Sequence, residues 1–383
     1  MSEVNDQGHL EPDAWHLGLN DVPEFLLSRG LVHPRAIVDN DLIIRNFSSG
    51  RHYVFSAESS DGARYLLKQD PYVDSNTAAR EAEVYESLSC VPEIRRFIPR
   101  FHRYDADRHV LVVEFIPSAV DLATYHRKPR RPSIRVARAI GANLAELHCM
   151  STGRGQSERT EPRPSALALH RPHIRMARDF SPACLDLIRI LQNTDGYDPR
   201  LDELNRSWAA TALIHRDIRL KNFLLTAPVL TMRHADLKLI DWELASVGDP
   251  RWDIGSALGN YLSLWLESIP STGMTNPAQS SVLAKCPLAG IQPAIRACWN
   301  AYILRRGLPS EAAERMLVGT AGFAAARLVQ TAYEAAQGSI RLTATGLLHL
   351  QLAFNMLTRA EETVAHLYGL TLAHCFPTSM TGT

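Results

Sequence analysis

After about twenty polar residues, expected to be flexible, the chain settles into short apolar runs separated by polar turns. Asp21, Val22, Pro23 and Glu24 read as a helix start, with a cap, an early proline and acid in the first turn, leading to a short helix ending near Ser28. Apolar runs at 41–45, 53–57 and 63–68 follow, and the Ser-Ser-Asp-Gly sequence at 59–62 supplies a turn between two of them. Together they predict an antiparallel strand set whose last strand carries Lys68. A helix is expected over 77–88, with Ala82, Tyr85 and Leu88 on one face. The run Val-Leu-Val-Val-Glu-Phe at 110–115 is a strong strand, broken by Pro117 and Ser118. Beyond that break the pattern turns helical, first over 133–150. A Ser-, Arg-, Pro- and Gly-rich loop is expected at 151–172 and short strands and loops over 211–253. Helices resume from Ser256, notably over 312–337 and 342–370. The expectation is an α+β protein: a flexible segment 1–20, a strand-rich N-lobe 21–116 and a mainly helical C-lobe 117–383.

Composition narrows the function. With 41 basic and 41 acidic side chains the formal net charge is zero, so no whole-protein attraction to nucleic acid or anionic membrane is expected. Six scattered cysteines without a Cys-x-x-Cys pair suggest neither a disulfide framework nor a zinc site, and buried reduced thiols are expected. The acidic, polar start lacks the features of a signal peptide, and no apolar run approaches a span of about 20 residues. A cytoplasmic protein is the expectation.

The chemistry concentrates in residues 213–225, Leu-Ile-His-Arg-Asp-Ile-Arg-Leu-Lys-Asn-Phe-Leu-Leu. An apolar strand runs into His215 and Asp217, Asn222 follows five positions after the aspartate, and a second apolar strand begins there. Phosphoryl transfer requires a carboxylate to orient and deprotonate an acceptor hydroxyl, together with hard oxygen ligands for magnesium. Asp217 suits the first task and Asn222 the second. Further on, Leu-Lys-Leu-Ile-Asp-Trp-Glu at 237–243 ends an apolar strand on Asp241, a second candidate metal ligand. The two motifs in this order and this close together are a specific signal.

On these residues the chain resembles the aminoglycoside phosphotransferase and choline kinase branch of the protein-kinase-like superfamily, over roughly residues 40 to 260. The resemblance implies a two-lobed kinase-like fold, ATP and magnesium as cofactors, Asp217 as catalytic base and Asn222 and Asp241 as metal ligands. It implies that Lys68 contacts the nucleotide phosphates and that Glu81 pairs with it. Glu83 competes for that pairing, but two positions away it faces elsewhere on a helix. Glu114, Phe115 and Ile116 fall where a hinge backbone pairs with adenine. Arg219, two residues after the base, could stabilise charge developing on the transferred phosphoryl group. His215 and Asp253 are implied to brace the catalytic loop.

The chain also departs from the pattern. The phosphate-covering turn at 46–52 has one glycine, leaving the backbone of Ser48, Ser49 and Gly50 to meet phosphates or to form an ordinary turn. Arg216 stands where the family more often has glycine. About ten residues separate Asp241 from Asp253, which leaves no room for a long phosphorylatable segment and favours constitutive activity. The basic cluster Arg127, Lys128, Arg130 and Arg131 is a solvated face unless the acceptor is acidic or peptidic.

Fold alone does not name the acceptor. The stretch 241–255, with Tyr-Leu-Ser-Leu-Trp at 261–265 and Tyr-Leu-Leu-Lys-Gln at 65–69, is similar to the phosphotransferase-like proteins of class V lanthipeptide and thioamitide biosynthesis. That resemblance implies phosphorylation of Ser or Thr in a precursor peptide, with a separate lyase partner eliminating phosphate to leave a dehydroamino acid. The alternatives are a kinase of a small aminoglycoside, amino alcohol or sugar, and a pseudokinase scaffold. Retention of Lys68, Asp217, Asn222 and Asp241 argues against the scaffold.

Overall fold

A computed structural model of the chain describes residues 16–39, 41–48, 52–72, 75–127, 131–150, 163–173, 180–226, 235–270 and 284–370. The chain divides into two compact units. The first is residues 1–119 with the short return 240–243, and the second holds the remainder. The sequence expectation put the boundary after Ile116. The return of Ile240–Glu243 to the first unit could not be read from a linear pattern.

The first unit is built on a five-stranded antiparallel sheet in the order β1-β2-β3-β5-β4, formed by Ile43–Asn46, Tyr53–Glu58, Arg64–Gln69, Phe101–Asp105 (β4) and Val110–Glu114 (β5). Successive side chains in a strand point to opposite faces. Phe55, Leu67 and Val112 therefore form one cross-strand row, which the core extends with Val22, Phe25 and Leu26 of the helix Val22–Ser28. Lys68 pairs in register with Leu111 and with Val54, on the opposite parity from Leu67. The helix Thr77–Ser89 packs on β4 and β5 and buries Ala78, Glu81, Ala82, Tyr85 and Leu88, while Glu83 is exposed. Strand β5 is buried at Val110–Val113, on both faces, which accounts for its unbroken apolar run.

The second unit is mainly helical, with two small antiparallel ladders. One joins Val120–Asp121, Phe223–Leu225 and Leu237–Leu239; the other joins Ala212–Ile214 and Ser246–Gly248. Helix Ile134–Cys149 is capped by Ser133, whose Oγ accepts from the Val136 N–H, and it packs against Leu288–Arg306. The approach is close: a Cβ on Gly141 would lie 2.0 Å from the Cys298 carbonyl oxygen. Helix Ser310–Ala336 packs on Pro250–Glu267 and Ala344–Thr358.

Several boundaries differ from the sequence expectation. Helix Pro250–Glu267 starts six residues before Ser256, because Asp249 caps it by accepting from the Arg251 N–H and Pro250 occupies its first turn. The helix expected over 342–370 is two, Ala344–Thr358 and Ala360–His366, broken where Arg359 adopts φ −138° and ψ 58°. Not all thiols are buried: Cys184 and Cys298 are, whereas Cys90 and Cys149 are exposed. Most of segments 1–20 and 151–172, with Lys128 and Arg130, lies outside the described residues. Among the described residues no helix is long and apolar enough to cross a membrane.

Candidate active site

The first unit gathers its charged residues around Lys68. Parity turns its side chain to the same face as the helix carrying Glu81, and Nζ donates to Glu81 Oε2 at 2.8 Å, Asp241 Oδ1 at 2.8 Å and Glu243 Oε2 at 2.9 Å. Burial opposes the ammonium, but three carboxylates more than offset it and raise the Lys68 pKa well above its usual value. Glu81 is buried, and its second oxygen accepts from the Trp242 N–H at 3.0 Å, tying the helix to the 240–243 segment. Asp241 has φ 69°, a left-handed conformation that costs a non-glycine residue energy and collects at functional sites.

Glu243 was not foreseen as a partner of Lys68. It lies two positions after Asp241, and that spacing was the available signal. His52 Nε2 lies 3.4 Å from Glu243 and 3.6 Å from Asp70, its pKa lowered by burial and then by the Lys68 charge. Glu81, Asp241 and Glu243 each place one oxygen within 4.8 Å of the others, a hard donor set suited to a divalent cation as well as to the ammonium they share.

The proposed phosphate-covering turn is described only in part. Ser49 and Gly50 lie outside the described residues, while the Ser48 N–H is taken up inside the turn by Asn46 Oδ1 at 2.7 Å. That bond directs the Ser48 N–H into its own turn, as the ordinary-turn alternative expects. In the segment expected to pair with adenine, Glu114 exchanges bonds with the Arg100 backbone, N–H to carbonyl at 2.8 Å and carboxylate from N–H at 3.0 Å. The Ile116 carbonyl accepts from the Ala119 N–H at 3.3 Å.

The second unit presents Asp217 between strand Ala212–Ile214 and the 3-10 turn Leu220–Asn222. Asn222 Nδ2 donates to the Asp217 carbonyl at 2.9 Å and to Oδ2 at 3.1 Å, so the Asn222 amide oxygen takes no part in these two bonds. Arg219 Nε bonds Asp217 Oδ1, and its NH2 reaches Glu334 Oε1 at 2.8 Å. The loop before Asp217 hangs on a buried carboxylate. Asp253 Oδ2 accepts the His215 N–H at 2.6 Å and Oδ1 the Arg216 N–H at 3.0 Å. His148 Nε2 lies 3.3 Å from Asp253, and its Nδ1 lies 2.9 Å from the Tyr302 hydroxyl. His215 is fully buried, and its Nδ1 accepts the Asp217 N–H at 3.3 Å. Arg216 takes φ 67°, so the position where the resemblance sets an arginine against glycine is one whose backbone favours glycine.

Sequence reasoning missed the far wall of this site. Arg327 and Glu334, from helix Ser310–Ala336, join Asp217, Arg219, Arg216 and Arg163 in lining a cavity of about 250 Å³. No sequence signal could have found Glu334, which meets Arg219 across 115 residues of chain. Asn260 adds support from the helix that carries Asp253, donating to the Ile218 carbonyl at 2.8 Å.

A buried ion pair between a lysine of an antiparallel sheet and a helix glutamate, an Asp–Asn loop braced by a buried aspartate and an aspartate after a short strand together define a kinase-like phosphotransferase. The chain belongs to the phosphotransferase enzyme family, whose profile matches residues 43–271. Among solved structures it is similar to a choline kinase from Cryptosporidium parvum Iowa II, with TM-score 0.54 and 14% identity over 93% of this chain and 100% of that one. It is also similar to an amicoumacin kinase in complex with AMP-PNP, Ca²⁺ and Ami, with TM-score 0.50 and 15% identity over 88% of this chain and 96% of that one. No curated protein sequence matches it. The protein is an ATP-dependent phosphotransferase acting on hydroxyl groups, with a small antiparallel-sheet N-lobe and a larger helical part.

Proposed function

We propose that the acceptor is a Ser or Thr hydroxyl of a ribosomally made precursor peptide, phosphorylated in the cytoplasm as a step toward dehydration. A separate lyase would then eliminate the phosphate. The observation that carries this reading is the lining of the cavity at Asp217, where four arginines face two carboxylates. Amino alcohols and aminoglycosides carry ammonium groups, and these would meet a surplus of like charge there. A serine or threonine side chain brings none.

In this reading Asp217 orients the acceptor hydroxyl and takes its proton as the hydroxyl oxygen bonds to the γ-phosphorus of ATP. The bond from that phosphorus to the β,γ-bridging oxygen breaks, and ADP leaves. Asn222 holds Asp217 by two hydrogen bonds, and Arg219 offers its guanidinium to charge developing on the phosphoryl oxygens. Lys68, fixed by Glu81, serves the nucleotide phosphates. Asn222 and Asp241 carry the hard oxygens proposed for Mg²⁺, which neutralises phosphate charge when bound.

The test is intact-mass spectrometry after incubation with ATP and Mg²⁺. The panel holds a Ser/Thr-rich precursor peptide with its leader, aminoglycosides and amino alcohols. Phosphate on the peptide is expected; phosphate confined to the amines would overturn the proposal. Asp217→Asn should lower turnover by roughly 10²–10⁴, the contribution of a positioned base. Near-normal turnover in that variant would remove Asp217 from the role.

A further inference from the structure

We propose that the cavity beside Asp217 contains an anion subsite built around Arg163 and Arg327, and that the acceptor carries a carboxylate or phosphate close to its reactive hydroxyl. For a peptide, this means an acidic residue beside the phosphorylated Ser or Thr. The inference rests on Asp217 being the base, and its peptide form rests on the function proposed above.

Glu334 is shared: Oε1 accepts from Arg219 at 2.8 Å, Arg327 at 3.2 Å and Gln330 at 3.1 Å, and Oε2 accepts from Arg327 at 3.4 Å. One carboxylate cannot neutralise two guanidiniums. Asp217 also pairs with Arg219, but it is the group that must take the acceptor's proton.

The remaining cations come from elements apart from the catalytic loop. Arg327 is 4% exposed, and its Nε is buried without a hydrogen-bond partner. Guanidinium groups are costly to bury unless their charge is compensated, and at Arg327 that compensation comes from the shared Glu334 at 3.2 and 3.4 Å. Arg163 is held by neutral groups, donating to the Asn205 carbonyl at 2.5 Å and to its Oδ1 at 2.7 Å. Among the described residues no carboxylate pairs with it. A planar carboxylate or a phosphate suits two such guanidiniums, because their forked donors match paired oxygens.

A second source of the same chemistry is the transferring phosphate of ATP, and the experiment separates the two. Peptides with Ser flanked by Glu are compared with the Gln isosteres, and D-glycerate with glycerol, for kcat/KM at saturating ATP. The acidic member of each pair is expected to be preferred by about tenfold or more, the scale of one charge-assisted hydrogen bond. Arg163→Ala, at an exposed position, should bring that ratio toward one, and Arg163→Glu should reverse it. If instead both members lose rate equally and KM for ATP rises, the arginines serve the nucleotide and the proposal is overturned. Preference for D-glycerate without any peptide phosphorylation would sink the peptide reading and leave the anion subsite standing. Equal rates for Glu and Gln peptides would do the reverse. Should no acceptor react, thermal protection by inorganic phosphate decides. Protection weaker in Arg163→Glu than in wild type supports the subsite, and equal protection or none refutes it.

Discussion

Asp253 supports the strongest prediction, because its cost follows from counted bonds. The carboxylate is fully buried in the first turn of helix Pro250–Glu267 and accepts the N–H groups of His215 and Arg216. Each hydrogen bond to a charged group contributes about 1.5–3 kcal/mol, so loss of these two bonds alone, with the 3.3 Å contact to His148 left out, should make Asp253→Ala cost roughly 3–6 kcal/mol. Asp253→Asn is the sharper variant. Its amide oxygen can keep one N–H, but its NH₂ turns a donor toward the other, so it should cost nearly as much as Ala. Urea denaturation measures stability, and the midpoint should fall without a change in slope. Turnover should fall by about 10²-fold, because the loop that releases Arg216 also misplaces Asp217. If Asn proved as stable as wild type, a generic space-filling role would replace the brace. If both variants stayed within about 1 kcal/mol, the bond count would be wrong as a source of stability.

Three further perturbations probe single links. Glu81→Ala removes one of three carboxylates on Lys68 and the acceptor of the Trp242 N–H, so activity should collapse, whereas exposed Glu83→Ala should change stability by less than about 0.5 kcal/mol; steady-state kinetics and thermal unfolding of the pair test this, and the reverse ranking refutes the pairing. Gly141→Ala should be destabilising by about 1–3 kcal/mol even though alanine is the better helix former, since its Cβ would meet the Cys298 carbonyl; a rise in urea midpoint would contradict the close packing. At Arg216 the left-handed backbone makes Gly close to neutral, within about 1 kcal/mol, while Val should cost roughly 1–3 kcal/mol; equal costs in calorimetry would show that the conformation is not strained.

The legible parts of the fold and site were those fixed by local periodicity. The pairing of Lys68 with Glu81 came from the family resemblance, and periodicity contributed one step to it, the helical spacing that separates Glu81 from Glu83. The five-residue step from Asp217 to Asn222 likewise spans one loop. What stayed hidden depends on tertiary contact or on backbone conformations that side-chain pattern does not encode. The break at Arg359 carries neither Gly nor Pro, so the apolar pattern runs through it unmarked. The left-handed conformations of Arg216 and Asp241 are held by bonds to other elements, as the Asp253 contact to the Arg216 N–H illustrates. Glu334 is one acid among several on a long helix until folding sets it beside Arg219 and Arg327.

A formal charge of zero hides how the charges are distributed between these two centres. Around Lys68 one ammonium is shared by three carboxylates; around Asp217 four arginines face two. Low local dielectric strengthens each interaction, so each local surplus selects ligands more strongly than the chain's net charge can. Carboxylate surplus near Lys68 favours a cation, in keeping with the metal-assisted chemistry of a kinase. On the function proposed above, the arginine surplus at Asp217 works against the cationic acceptors that an acidic wall would attract. In that proposal acceptor choice turns on side chains such as Arg163 and Arg327, which stand outside both catalytic motifs and leave the phosphoryl-transfer residues unaltered.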